Sequence, residues 1–326
     1  MKIALIGEAA NHEHQLVAGL GELGSEVAHI IALPREAAFQ ADFDEELTTC
    51  DVVVSLKMKR EHGKFPPIPL LHVPGAGLDG IDLSCLQDLT TVCNVFEHEG
   101  PIAEFVIASM LEWEMNLDSF ARSFTREVWP QIYRNRPPHG EIKGKTLGLI
   151  GYGRIGQAIA KLARPFGVNV LAIDASVTEE SDGIMPTKKL PFLLKESDYL
   201  VIACPLTDST RGLINNENIK EMKNTSVIIN ISRAEIVLEE AFFTALKERW
   251  IRGASIDVWY RYPQGSHDES HPSQFDFHSL ENTRCTPHIS AWTTEMMDRR
   301  YKFIAKNILS LFNNKPLTNV VRPSQL

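Results

Sequence analysis

The stretch TLGLIGYGRIGQAIA, residues 146–160, decides how this chain is read. A short Leu- and Ile-rich run leads into Gly151, Gly153 and Gly156, and Ile155, Ile159 and Leu162 follow at helical spacing. A buried strand therefore passes through a glycine-rich turn directly into a helix. In such a turn the first glycine allows the tight bend, the second lets a pyrophosphate approach the backbone, and the third lets helix and strand pack closely. The helix's amino end, opened by Arg154 and Ile155, offers N–H groups and the positive end of its dipole. The next apolar run, VNVLAID, ends 18 residues past Gly156 in Asp174, where a carboxylate can accept both hydroxyls of an adenosine ribose. The same charge repels a 2′-phosphate, and no Arg follows within several residues, so NAD is expected rather than NADP.

Outward from this stretch the same grammar continues. Towards the carboxyl end come DYLVIACP, TSVIINIS, GASIDVW and TRCTPH, with a helical pattern at Phe242, Phe243, Leu246 and Trp250. Towards the amino end lie KIALIG, the helical spacing Leu16, Val17, Leu20, Leu23, then EVAHIIAL, DVVVSL, PLLHVP and TTVCNV. Near-continuous apolar strands alternating with helices imply parallel sheets covered on both faces, here an α/β chain of two domains, each a doubly wound parallel sheet. The apolar helix IAEFVIASMLEW (102–113) is the expected connection, and Arg122 to Glu141 a polar surface excursion. A last helix, with Met297, Tyr301, Ile304, Ile308, Leu311 and Phe312 on one face, is expected to pack back on the first domain. The expected division is 1–98 with 292–326, and 99–291.

A chain of 326 residues, 44% hydrophobic and 23% charged, has the composition of a globular protein and not of a disordered one. No run approaches the roughly 18 uninterrupted apolar residues of a membrane span, and MKIALIGEAANHEHQ lacks the features of a secretory signal, so a cytoplasmic protein with no membrane partner is expected. A formal charge of −9 argues against nucleic acid as partner. The 5 cysteines are odd in number and form no CxxC pair, so neither a disulfide framework nor a metal site is expected.

Ligands of open parallel sheets bind beyond the carboxyl ends of the strands. At those ends stand Gly151, Asp174, Cys204 with Pro205, Arg233, Asp257 and His288. A cation, a carboxylate and an imidazole at one edge with a dinucleotide turn suit a site that binds a carboxylate substrate and moves a proton. Each also has a purely structural reading: Arg233 as a strand cap, His288 as a satisfied strand-end residue. Asp257, inside an apolar strand, either meets the cofactor's amide or pairs internally, because a buried carboxylate is costly without partners.

HVPGAGLDGID (72–82), PIAEFVIASML, GKTLGLIGYGRIGQAIA, ACPLTDSTRGLIN, VIINISRAEIV, GASIDVW and TPHIS together resemble, in order and over nearly the whole chain, the D-isomer-specific 2-hydroxyacid dehydrogenase family. The resemblance implies a flavodoxin-like substrate domain, a Rossmann domain for NAD, and a homodimer formed through the cofactor domain. It also implies the reversible reduction of a small 2-oxo acid to its (R)-2-hydroxy acid. Arg233 matches the residue that anchors the substrate, and His288 the acid/base. Asp257 and Ser290 match positions that meet the nicotinamide amide, and Ala76 and Gly77 the loop that holds the substrate carboxylate.

Three departures stand out. Arg-Gly of the family is Arg233-Ala234 here, and His98 stands six residues before the glutamate of the AE pair, where members often carry Asn and where contact with substrate is expected. The family's catalytic acid precedes the proline after the DV strand, and in DVWYRYP that place is Tyr262. A phenol with a reference pKa of about 10 stays neutral at pH 7 and can only hydrogen-bond the ring of His288. The DVW wording also resembles NAD-dependent formate dehydrogenases, which place Gln where Tyr262 stands. The loss of the acid leaves room for a third reading, an NAD(H)-sensing scaffold like the family's corepressor relatives. Side-chain selectivity is expected in loops 55–65, 94–100 and 260–280.

Overall fold

The computed structural model describes residues 1–24, 29–263 and 268–324. Residues 26–28 of the expected EVAHIIAL strand and 264–267 of the 260–280 loop lie outside that set. The chain divides into two units, Met1–Glu97 with Thr293–Leu326, and His98–Trp292. His98 and Trp292, assigned above to the first domain, belong to the second unit by their bonds. The His98 carbonyl accepts from Ile102 N at the start of helix Glu99–Met115, and Trp292 N donates to Ile289 O.

In the first unit, β1 (Lys2–Ile6), β2 (His29–Leu33), β3 (Val52–Val54), β4 (Leu70–His72) and β5 (Thr91–Cys93) run parallel. Their order is β5-β4-β3-β1-β2, the flavodoxin-like arrangement whose direction of winding reverses between β1 and β3. Ala4, Ile6, Val53, Leu71 and Val92 form one core with Leu47, Phe65 and Ile68.

The second unit holds β6 (Thr146–Ile150), β7 (Asn169–Asp174), β8 (Ile184–Pro186), β9 (Tyr199–Ile202), β10 (Val227–Asn230), β11 (Gly253–Ile256) and β12 (Thr283–Cys285). All pair in parallel in the order β12-β11-β10-β9-β6-β7-β8, with the reversal between β6 and β9. This is the Rossmann order. Alternate residues explain the near-continuous apolar strands. Leu147, Leu149, Tyr199, Val201, Val227 and Ile229 share a core with helices Glu99–Met115 and Arg154–Ala163. Ile150, Leu200, Ile202, Ile228 and Ile256 face helices Leu190–Glu196 and Glu239–Lys247 on the other side. Both faces are thus withdrawn from water, at about 1.5–3 kcal/mol per buried Val, Leu or Ile side chain. The edge strand β8 was not evident in the sequence, and its proline is tolerated because an edge strand leaves one side unpaired.

The excursion after helix Glu99–Met115 is not a plain loop. It carries helices Leu117–Ser123 and Trp129–Asn135 and presents Phe124, Trp129 and Tyr133 at the surface, with ring centroids 5.5 and 5.0 Å apart in succession.

Thr293, whose hydroxyl accepts from Met296 N, caps helix Thr294–Phe312, which returns to the first unit against helix Glu13–Glu22. An added methyl at Gly19 would stand 3.0 Å from Lys302 Cα, so the two helices meet where one has no side chain. Phe312, expected on the apolar face, is 41% exposed, because the buried stripe ends one turn earlier at Ile308. The chain then adds β13 (Val320–Arg322), a short antiparallel edge beside β5 that the sequence pattern did not reveal. No helix among the described residues is long and apolar enough to cross a membrane.

Candidate functional site

At the carboxyl end of β6, Gly151 has φ +100°, and a methyl there would sit 2.8 Å from the backbone of Cys204. Only glycine fits both the angle and the approach. A methyl on Gly156 would collide with the Gly151 carbonyl oxygen, which fixes how tightly the helix folds over the turn. Gly153 differs: nothing stands within 4 Å of the place a side chain would take, and as N-cap of helix Arg154–Ala163 it supplies no side-chain cap. An open cradle at an uncapped helix start is where a pyrophosphate fits. Arg154 is exposed and lies 3.9 Å from Glu99, while Ile155 turns partly into the core.

Asp174 ends β7 within reach of this turn. One carboxylate oxygen accepts from Tyr152 N at 2.8 Å, and the other from Ser176 N at 2.9 Å and Ser176 Oγ at 2.6 Å. Burial pushes its pKa up, but these donors outweigh it and hold the carboxyl below its ordinary value. The charge is therefore fixed at neutral pH beside the turn. Cys204, after β9, is buried, and burial pushes its thiol up to about 11, so it serves by backbone shape. Pro205, exposed next to it, uses its carbonyl to accept from Thr210 Oγ1 at 2.7 Å.

Past β10, Asn230 organises the Arg233 turn. Its side chain donates to Arg233 O at 3.0 Å and accepts from Ser232 N at 3.2 Å, while Ser232 Oγ donates to Cys204 O. The half-buried Arg233 donates through Nη1 to Ser232 O at 2.8 Å. Ala234, where the family has Gly, does not take a positive φ, so its methyl costs no strain.

Past β11 and β12, Asp257 has internal partners. The residue is 0% exposed, and its carboxylate accepts from Thr286 Oγ1 at 2.6 Å, Ile289 N at 2.8 Å and Ser290 N at 2.8 Å. It pairs internally. Ser290 is buried with it. The residue clamped between these bonds is His288, whose φ of +62° belongs to the left-handed region. Such a conformation costs roughly 1–3 kcal/mol and persists only where its surroundings over-determine it. His288 is thereby presented outward from the sheet edge.

Tyr262 reaches the same imidazole. Its Oη lies 2.9 Å from His288 Nδ1 and accepts from Trp259 N at 3.0 Å. Burial pushes the phenol above its ordinary pKa, against opposing pulls from the Trp259 N–H and the Arg233 charge. A cavity of about 720 Å³ lies beside this pair, lined by Trp259, Tyr262, Phe275, Phe277 and Pro287. Neither the glycine turn nor Arg233 lines it, so it flanks the candidate chemistry.

The remaining sequence candidates are distributed between the units. Ala76 lies in the first unit, where its carbonyl accepts from Asn94 Nδ2 at 3.0 Å, and the exposed Gly77 follows it. His98, buried, stands at the N-cap of helix Glu99–Met115. Sequence reasoning missed Asn230 and Thr286, which orient Arg233 and Asp257. Both are polar residues at the ends of apolar strands, and that position was the available signal.

Comparison with known proteins finds relatives over most of the chain. Residues 107–290 match the family profile described as D-isomer specific 2-hydroxyacid dehydrogenase, NAD binding domain. The glyoxylate reductase of Thermococcus gammatolerans is 35% identical over 319 residues, 89% of each chain. For the glyoxylate reductase of Thermococcus kodakarensis the identity is also 35%, over 193 residues, and the match spans 56% of that relative and 56% of this chain. Among solved structures, a 2-hydroxyacid dehydrogenase from Ketogulonicigenium vulgare Y25 covers 99% of both chains at TM-score 0.76 and 21% identity. D-lactate dehydrogenase with NAD+ from Lactobacillus jensenii covers 98% of this chain and 99% of its own at TM-score 0.75 and 23% identity. These last two establish a common fold, and the profile establishes NAD as the cofactor of the second unit.

Proposed function

The chain belongs to the D-isomer-specific 2-hydroxyacid dehydrogenase family, and from that premise we propose that it reversibly reduces a small 2-oxo acid to the (R)-2-hydroxy acid. NADH, when bound, supplies the hydride. Gly151, Gly153, Arg154, Ile155 and Gly156 hold its pyrophosphate and Asp174 its adenosine ribose, with Cys204 and Pro205 shaping the wall. Arg233 offers a planar fork to the substrate carboxylate and carbonyl, which orients the acid and polarises the bond to be reduced. His288 Nε2 gives the carbonyl oxygen its proton. Ala76, Gly77 and His98 keep the substrate-holding roles that the family resemblance assigns them, and Ser290 the contact with the nicotinamide amide. Asp257 acts one step back, by holding the loop that presents His288.

The observation that carries this reading is that imidazole. It is exposed, held in a strained backbone conformation by a buried carboxylate, and attached at Nδ1 to a second group. A merely structural histidine does not require that arrangement. The reading is tested with two variants. Arg233→Lys keeps the charge but loses the fork, and should raise KM and lower kcat together. His288→Asn should bind NADH as the wild type does and lose roughly 10²- to 10⁴-fold in kcat, the usual worth of a positioned acid. Near wild-type turnover in either would remove that residue from the mechanism.

We further propose where the protein works and with what. The protein works in the cytoplasm, without a membrane or nucleic-acid partner. It pairs with a second copy through the second unit, a reading supported by the aromatic surface of Phe124, Trp129 and Tyr133.

A further inference from the structure

We propose that Tyr262 is the second proton donor of this site: its hydroxyl passes a proton to His288 Nδ1 while Nε2 gives one to the substrate, so a neutral imidazole performs the reduction. The inference rests on the function proposed above and goes beyond it, since that function requires only that His288 be an acid.

The geometry begins at Trp259. Its backbone N–H can only donate, and at 3.0 Å it occupies an acceptor position of Tyr262 Oη. In the proposed relay the hydroxyl's own proton points to His288 Nδ1, 2.9 Å away. Nδ1 becomes the acceptor and the ring's single proton sits on Nε2. A carboxylate in place of Tyr262 would do the opposite, favouring a ring protonated on both nitrogens. The site therefore stabilises the neutral ring and supplies the missing proton from the phenol.

The step balances. As hydride reaches the carbonyl carbon, the carbonyl oxygen forms its O–H bond with the proton leaving Nε2. The Oη–H bond breaks and an Nδ1–H bond forms, so the ring stays neutral in its other tautomer and Tyr262 is left as phenolate. After product leaves, a solvent proton enters at Nε2 of the exposed His288 and Nδ1 returns its proton to the phenolate. The groups that face the phenol are His288, Arg233, Asp257 and Glu235. Arg233 and the Trp259 N–H favour the phenolate, whereas the two carboxylates oppose it. Burial raises the phenol's pKa, which keeps Tyr262 protonated and ready across the neutral and mildly alkaline range.

The experiment is kcat/KM for 2-oxo acid reduction between pH 5.5 and 9.5, in wild type, Tyr262→Phe and Tyr262→Glu. Wild type should be nearly flat from about pH 6 to 9, because no charged imidazole is needed. Tyr262→Phe leaves only the imidazolium as donor and should fall about tenfold per pH unit above roughly 6.5, with its deficit small at pH 5.5 and at least 100-fold at pH 9. Tyr262→Glu should restore activity at neutral pH, with a falling limb above that of the Phe variant. A wild-type limb near pH 6.5 parallel to that of Tyr262→Phe would overturn the proposal. Nitrogen-15 NMR of the histidine ring in the NADH complex reads the pair without substrate. A proton on Nε2 alone at pH 7.5 supports the relay, and a proton on Nδ1 refutes it. Absence of turnover with any 2-oxo acid would defeat the function itself, and the NMR reading tells that failure apart from a failure of the Tyr262 pair.

Discussion

Asp174 shows how one side chain sets a cofactor preference. Its two oxygens already accept three bonds from Tyr152 and Ser176, so its charge is fixed in place before any ligand arrives. A 2′-phosphate beside that carboxylate meets a repulsion of about 1 to 4 kcal/mol at 4 Å, depending on how much water screens it. NADH should therefore bind at least about fivefold more tightly than NADPH, and Asp174→Ala should narrow the ratio. Titration of both cofactors by fluorescence measures it, and equal wild-type affinities would remove Asp174 from this role. This residue was legible in sequence because strand, turn, helix and acid stand in fixed register. Asp257 was only half legible. A carboxylate in an apolar strand demands partners, yet those partners lie some 30 residues on in a turn whose path the sequence does not state. Tyr262 was legible as a departure able to hydrogen-bond His288, but its second bond, from Trp259 N, depends on a turn whose path the sequence does not state.

At the scale of elements, β4 is tied to the last helix through His72 and Asn307. His72 is fully buried, Asn307 Nδ2 approaches its Nε2 at 3.0 Å, and Asn307 Oδ1 accepts from both Thr318 N and Oγ1. Burial pushes the imidazole down to about 4. The unfolded chain takes up that proton near pH 6.5, so the stability contributed by the neutral ring is complete above pH 6.5 and declines as pH falls towards 4. The loss approaches about 3 kcal/mol across that window. Urea unfolding at pH 7.5 and pH 5 should show a smaller drop for His72→Gln, which keeps a hydrogen-bonding side chain and does not titrate. An identical drop in both proteins would contradict the assignment. Neither residue announced this bond in the sequence, where PLLHVP read simply as a strand and Asn307 carried no signal of its own. Strands covered on both faces were easy to read, since every residue must be apolar. By contrast β8 and β13 are three residues long at sheet edges, with Val320 and Val321 42% and 39% exposed, so their pairing and not their composition makes them strands.

For the molecule as a whole, the segment 117–136 gathers several exposed apolar side chains among the described residues. Leu117, Phe124, Trp129 and Tyr133 are between 46% and 58% exposed, and monomeric proteins rarely leave such a group to water. Sedimentation should find a dimer, and Trp129→Ser with Tyr133→Ser should shift it towards monomer. A wild-type monomer at working concentration would end that part of the account. The sequence marked 122–141 as a polar, proline-bearing excursion, and the aromatic residues gather only once two short helices form. The central claim is that the NAD turn, Arg233 and His288 together reduce a 2-oxo acid. The most direct test is to follow NADH absorbance with a panel of 2-oxo acids beginning with glyoxylate and pyruvate, and to determine the configuration of any chiral product. The account predicts turnover of at least one acid to its (R)-2-hydroxy product, lowered at least about 100-fold in His288→Asn. Tight NADH binding with no turnover of any acid would contradict it and leave a nucleotide-sensing scaffold in its place.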